Sequence, residues 1–236
     1  MNRKGDENGT ETDFRDPQNA KNPMINVLVT AFGAFPGAPS NPTIAIVREL
    51  ERRHGKRLAR LSIALHTSVL PVRFSQAPEA LSVALETTRP DVVLHLGLAA
   101  RRHALSVEMR AINRIGTLRA DAGRAVAASR AVMSGARDER ASRWPAQRIR
   151  AAMDRSASTR LSIDAGDYVC NQTLFLTLST SVGQVGFIHT PRLARCDTHR
   201  RPGLNRMVEA AVSALLVMAV EARRTPRELT LDRHGR

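Results

Sequence analysis

The stretch that decides the fold is Ile25-Asn26-Val27-Leu28-Val29-Thr30, with the residues that follow it. A short apolar run rich in β-branched residues has the character of a buried strand. It ends in a loop rich in Gly and Pro, Ala31 to Ser40. Ser40-Asn41-Pro42 then starts a helix, with a capping side chain and Pro in the first turn, and the pattern carries it to about Arg53. Strand, loop and capped helix make a βα unit, and the same alternation continues down the chain.

Leu61 to Val72 reads as the next strand, Phe74 to Thr88 as a helix stopped by Pro90, and Asp91 to Leu96 as a third buried strand. Leu105 to Ile115 is a strand or a pair of strands. Gly116 to Ser142 is rich in Arg and Ala with little apolar periodicity, and reads as a long surface excursion. Ala146 to Ser156 is a helix, and Leu161 to Ile163 a short strand. A helix from about Asn171 to Ser181, a strand at Val185 to His189 and a long helix from Leu204 to Arg224 complete the pattern. Strands alternating with helices of this length imply a mostly parallel sheet covered on both faces. The expectation is a single three-layer α/β/α domain over residues 23–224. Residues 1–22 read as a disordered polar tail and 225–236 as a frayed C-terminal one.

Composition narrows the function. The chain has 236 residues, 42% hydrophobic and 25% charged, which fits a globular domain with a sizeable core. No run reaches the roughly 20 apolar residues that span a bilayer, so no membrane partner is expected. No apolar signal segment is visible either. Cys170 and Cys196 are too few for a disulfide framework, so reduced thiols and a cytoplasmic location follow. The net charge of +14 suggests nucleic acid, but only Lys4, Lys21 and Lys56 are lysines among 36 basic residues. The arginines are scattered along the whole chain, and aromatics for base stacking are 3%. A basic nucleic-acid-binding protein is therefore an alternative that the composition does not favour.

There is no dinucleotide fingerprint, phosphate loop or serine nucleophile elbow. The histidines and cysteines show no paired metal-ligand spacing, so no metal site is expected. Two residues stand out instead. Cys170 lies where a Gly-containing turn enters a helix, and a helix N-terminus favours the thiolate. His189 ends a strand, where an open parallel sheet forms its ligand crevice.

Around these residues the chain resembles the pyroglutamyl peptidase I (pyrrolidone-carboxylate peptidase) family of cysteine peptidases. Ala165-Gly166-Asp167-Tyr168-Val169-Cys170-Asn171 resembles the family's nucleophile segment, and Gly186-Phe187-Ile188-His189-Thr190-Pro191 its histidine segment. Val27 to Phe35, with Asn41-Pro42, is similar to its N-terminal signature. Leu105-Ser106-Val107-Glu108, then Ala111-Ile112-Asn113, resembles the segment of its glutamate. The resemblance implies a catalytic Cys170, His189 and Glu108, and a pocket at Phe32, Phe35 and Tyr168, with Asn41 and Leu98 beside it. It also implies a phosphorylase/hydrolase-like fold with a mixed sheet, no cofactor, and a homo-oligomer (dimer or tetramer). The substrates implied are peptides with an N-terminal pyroglutamate. The family's Gly-Gln-Ala-Gly-Gly-Arg stretch is here Gly97-Leu98-Ala99-Ala100-Arg101-Arg102, and Met109 replaces the Arg after the glutamate. A homologue with lost or altered activity is the alternative these departures raise.

Overall fold

The computed structural model describes residues 23–194 and 196–224. Both expected tails lie outside the described residues. Strand β1 (Ile25–Phe32) runs into helix α1 (Pro42–Arg60), followed by β2 (Ile63–Leu70), α2 (Gln76–Thr88) and β3 (Val92–Leu98). Next come β4 (Leu105–Glu108), β5 (Arg110–Ile112), β6 (Glu139–Ala141), α3 (Ala146–Asp154) and β7 (Thr159–Ser162). Helix α4 (Val169–Leu178), β8 (Gln184–Thr190) and α5 (Leu204–Arg224) close the order.

The main sheet runs β2-β1-β3-β8-β4-β7. Its pairings are parallel except β4 against β8, which makes it mixed and mostly parallel. Strand alternation then sorts the side chains into two layers. Val27, Val29, Leu94, Leu96, Val107 and Ile188 pack with α1, α3 and α5 in one core. Phe32, Val185 and Phe187 pack in the other, with Val169, Leu174 and Phe175 of α4. The result is an α/β/α sandwich. Every Phe and Tyr among the described residues belongs to or packs against the second core, while Trp144 belongs to the first. Chain-wide aromatic scarcity thus conceals one aromatic-rich layer.

Three segments differ from the sequence reading. Helix α1 continues past Arg53 to Arg60 because its buried stripe continues through Val47, Leu50, His54 and Leu58 at helical spacing. Strand β7 begins at Thr159, two residues before the apolar run that marks it. Residues 116–142 are not a free surface excursion. Their last part pairs as β6 with β5, and Asp121, only 2% exposed, pins their first part to the domain. Its Oδ2 accepts from Phe74 N at 2.9 Å, and Oδ1 accepts from Gly123 N at 2.7 Å and Ala125 N at 3.0 Å. A single buried carboxyl on backbone N–H groups leaves no apolar periodicity to read.

The packing of Trp144 depends on a missing side chain. A Cβ on Gly186 would lie 2.0 Å from the Trp144 ring, closer than any real contact. Gly186→Ala is expected to cost about 2 kcal/mol or more through overpacking. That is a fall in Tm of roughly 4–8 °C. Gly183→Ala, whose Cβ would meet only Asp91 O at 3.6 Å, serves as the control and should leave Tm within about a degree.

Candidate active site

One face of the sheet carries the polar groups. The alternation that sends Leu105 and Val107 into the first core turns Ser106 and Glu108 to the α4 side. The same applies to His95 and Gly97 of β3, and to Phe187 and His189 of β8. In the antiparallel β4–β8 pair, Ser106 stands opposite His189 and Glu108 opposite Phe187, so Glu108 meets His189 on the diagonal. The Glu108 carboxyl is fully buried, and its Oε1 accepts from His189 Nδ1 at 2.8 Å. With Nδ1–H committed to the carboxyl, the Nε2 lone pair of His189 stays open.

Cys170 is the second residue of α4, whose N-cap is Tyr168. Its Sγ sits 3.1 Å from the point where a Cβ on Gly97 would stand, and Gly97 is the register partner of His189. The thiol therefore projects toward the space that the missing Gly97 side chain leaves open, on the strand beside His189. Phe187 floors it, with its ring 4.6 Å from that of His189.

Burial pushes Cys170 up to about 12 from an ordinary 9.0; Arg119, the residue's own backbone N–H and Arg102 pull it down, and Glu108 adds to the rise. That rise opposes the pull toward the thiolate expected at a helix end. A helix-end field is worth about 0.3–1 kcal/mol near a surface, and desolvation here outweighs it.

Beneath the site, His95 is fully buried, and burial lowers its pKa to about 3. Thr177 Oγ1 donates to Thr173 O at 2.9 Å, so it accepts from His95 Nε2, also at 2.9 Å. Nδ1 of His95 must then accept from Thr30 Oγ1 at 2.7 Å. His95 is a neutral crosslink between β1, β3 and α4.

The aromatic residues gather beside the thiol. The Phe32 ring lies 6.0 Å from Phe187, Phe35 lies 6.2 Å from Tyr168, and Phe74 meets Tyr168 edge-on at 5.2 Å. Phe35 sits in a tight turn closed by reciprocal hydrogen bonds with Ala38, where Gly37 takes φ +86°. The Tyr168 hydroxyl donates to Ala120 O at 2.9 Å.

Two expected substrate contacts are placed elsewhere. Asn41 caps α1: its Oδ1 accepts from Thr43 N and Oγ1, and its Nδ2 donates to Gly33 O. It holds the Phe32–Phe35 loop and has its polar groups engaged there. Leu98 follows Gly97, so alternation turns it to the opposite sheet face from the thiol. The other departure, Met109, is 37% exposed. Several site residues escaped the sequence reading. Arg102 donates to Glu108 Oε1 at 2.5 Å and to Asp164 O at 2.6 Å. Asn171 ties α4 to β5 through Ile112 N, Ile112 O and Arg114 O; its place beside Cys170 in the motif was the available signal. Phe187, two residues before His189 on one strand face, could have been found by period-two alternation. Arg119 had no signal among so many arginines. Among the described residues no cluster of His, Cys, Asp or Glu could hold a metal ion, and no helix is long and apolar enough to cross a membrane.

Comparison with known proteins fits this geometry. The family model described as Pyroglutamyl peptidase matches residues 25–225. A pyrrolidone-carboxylate peptidase of Pyrococcus furiosus is 33% identical over 173 residues, covering 71% of this chain and 81% of that protein. One from Chromobacterium violaceum is 32% identical over 200 residues, 84% of this chain and 92% of the relative. A solved mutant pyrrolidone carboxyl peptidase from P. furiosus superposes with TM-score 0.74 at 29% identity, covering 84% of this chain and 99% of that one.

The raised thiol value has a direct test. A folded-state pKa above the ordinary 9.0 means that the native state holds this proton more tightly than the unfolded chain. The stability this contributes is complete below about pH 9 and is lost as pH climbs toward 12. In a Cys196→Ser protein, ultraviolet thiolate absorbance should be absent at neutral pH and grow only well above pH 9. A thiolate already present at pH 7 would mean a resting ion pair with His189 instead.

Proposed function

Because the chain belongs to the pyroglutamyl peptidase family, we propose that it removes the N-terminal pyroglutamyl residue from peptides by thiol catalysis. The observation that carries the residue assignment is the buried Glu108–His189 hydrogen bond of 2.8 Å beneath Cys170. Cys170 Sγ attacks the carbonyl carbon of the pyroglutamyl residue, and its proton passes to His189 Nε2. Glu108 keeps the ring in the tautomer with Nδ1–H and stabilises the imidazolium that forms. His189 gives the proton to the departing amine, leaving a thioester. Water, deprotonated by His189, then releases pyroglutamate and restores the thiol. The first N–H groups of a helix have no intrahelical acceptor, so the Cys170 N–H at the start of α4 is the donor offered to the oxyanion. The mechanism requires no metal or organic cofactor.

The Phe32, Phe35 and Tyr168 rings provide an apolar slot for the lactam. This reading also includes a homo-oligomer, dimer or tetramer, whose size light scattering on the purified protein measures.

Two outcomes check the proposal. Cys170→Ser should abolish release of a chromogenic amine from a pyroglutamyl amide. Cys196→Ser should keep it, because Cys196 is exposed and lies outside every motif. An active Cys170→Ser enzyme would sink the mechanism.

The pyroglutamyl substrate should also exceed the matched prolyl amide by about 10³-fold in kcat/KM. The rings are nearly equal in size, but N-terminal proline carries an ammonium and lacks the lactam carbonyl. Its burial among aromatic rings desolvates a charge and leaves the lactam's partners unpaired, together several kcal/mol. Equal rates would show that the slot does not read the lactam.

A further inference from the structure

The rim of the site holds a cation without a carboxylate partner. Arg119 is exposed, and its guanidinium lies 4.1 Å over the Tyr168 ring. No ion pair joins it to an acid among the described residues. Its charge pulls toward the Cys170 thiolate, against burial. The chain on either side of it is fixed. Gly116 N donates to Asp167 O at 2.7 Å, Ala120 O accepts from the Tyr168 hydroxyl, and Asp121 is locked under Phe74. The side chain is exposed, but its root is held at the mouth of the aromatic slot.

The acids around that mouth are mostly buried or engaged elsewhere. Glu108 is fully buried beneath Arg102 and His189. Asp121, 2% exposed, is surrounded by backbone N–H groups. Asp167 is half-buried with its carboxyl over Gly116, and Asp164, exposed in the same loop, has its Oδ1 engaged by Gly166 N at 2.8 Å. Opposite, Arg192 donates to Gly37 O in the Phe35 turn at 2.8 Å. The pyroglutamyl ring is neutral and would sit inside the slot, so a cation on the rim meets what lies beyond the scissile bond.

We infer that Arg119 is a specificity-determining residue that selects pyroglutamyl peptides whose next residue carries a carboxylate. The inference rests on the pyroglutamyl reading above and deepens it. A guanidinium stacked on an aromatic face keeps its N–H edge free, and that edge matches a carboxylate. At an exposed rim the pair is screened, so the preference is modest.

The test compares two C-terminally amidated peptides, pyroglutamyl-glutamyl and pyroglutamyl-glutaminyl, otherwise identical. The side chain is then the single carboxylate that differs. The wild-type enzyme should favour the glutamyl peptide by about threefold to fivefold in kcat/KM. Arg119→Gln should bring the ratio to about one, and Arg119→Lys should retain part of it. A wild-type ratio at or below one overturns the inference while leaving the pyroglutamyl reading intact. So does an Arg119→Gln variant in which both rates fall and the ratio stays. If wild type cleaves neither peptide, nor a pyroglutamyl amide, the pyroglutamyl reading fails and takes this inference with it.

Discussion

A carboxyl with no solvent exposure stands between a guanidinium and an imidazole, and the site is arranged around it. Glu108 meets both Arg102 and His189 through the same oxygen, Oε1, while its Oε2 has no partner among the described residues. Burying a carboxylate unpaired would cost far more than one hydrogen bond returns, so the two donors are a condition of its burial. The antiparallel β4 strand makes the arrangement possible. A parallel strand in its place would set Glu108 in a different register against β8. The one break in an otherwise parallel sheet therefore falls where the site needs a carboxyl beside the histidine.

Absent side chains matter as much as present ones. Gly97 leaves open the volume into which the Cys170 sulfur projects, and a Cβ there would also strike the Phe187 ring at 2.5 Å. Gly186, one position before Phe187 on β8 and on the opposite face, leaves the equivalent room for Trp144. Strand β8 thus alternates between large rings on one side and a void filled from elsewhere on the other. In the proposed mechanism the room at Gly97 lets the sulfur approach the sheet face that carries His189.

The sheet and its helices were legible because apolar runs and helical stripes are local signals. Glu108 and His189, which the structure joins by a hydrogen bond, were singled out through motifs that keep local order along the chain. What stayed hidden is tertiary. Arg102 is one of two adjacent arginines in an arginine-rich chain, and nothing local shows that it crosses to Glu108 while Arg101 stays exposed. Asp121 was hidden for the same reason: one buried carboxyl on backbone N–H groups anchors a long segment without apolar periodicity. Leu98 was misread for a different cause. Its neighbour Gly97 faces the thiol, and a single residue of strand alternation separates a site position from a core one.

The protonation of the thiol decides how the proposed chemistry must run. If burial left Cys170 at an ordinary value, the helix end could hold a resting thiolate and the histidine would act only on the leaving group. With the thiol pushed up to about 12 by burial, the proposed attack couples release of the sulfur proton to its transfer to His189. The ring is prepared for that transfer, since its Nδ1–H is held by Glu108 and its Nε2 is open. A substrate filling the aromatic slot excludes further water, which strengthens the Glu108–imidazolium attraction as that charge forms. It also places a carbonyl carbon to receive the electrons that the thiol releases. The burial that raises the free thiol thus becomes useful in the proposed mechanism once substrate is bound, because attack then depends on a carbonyl being present.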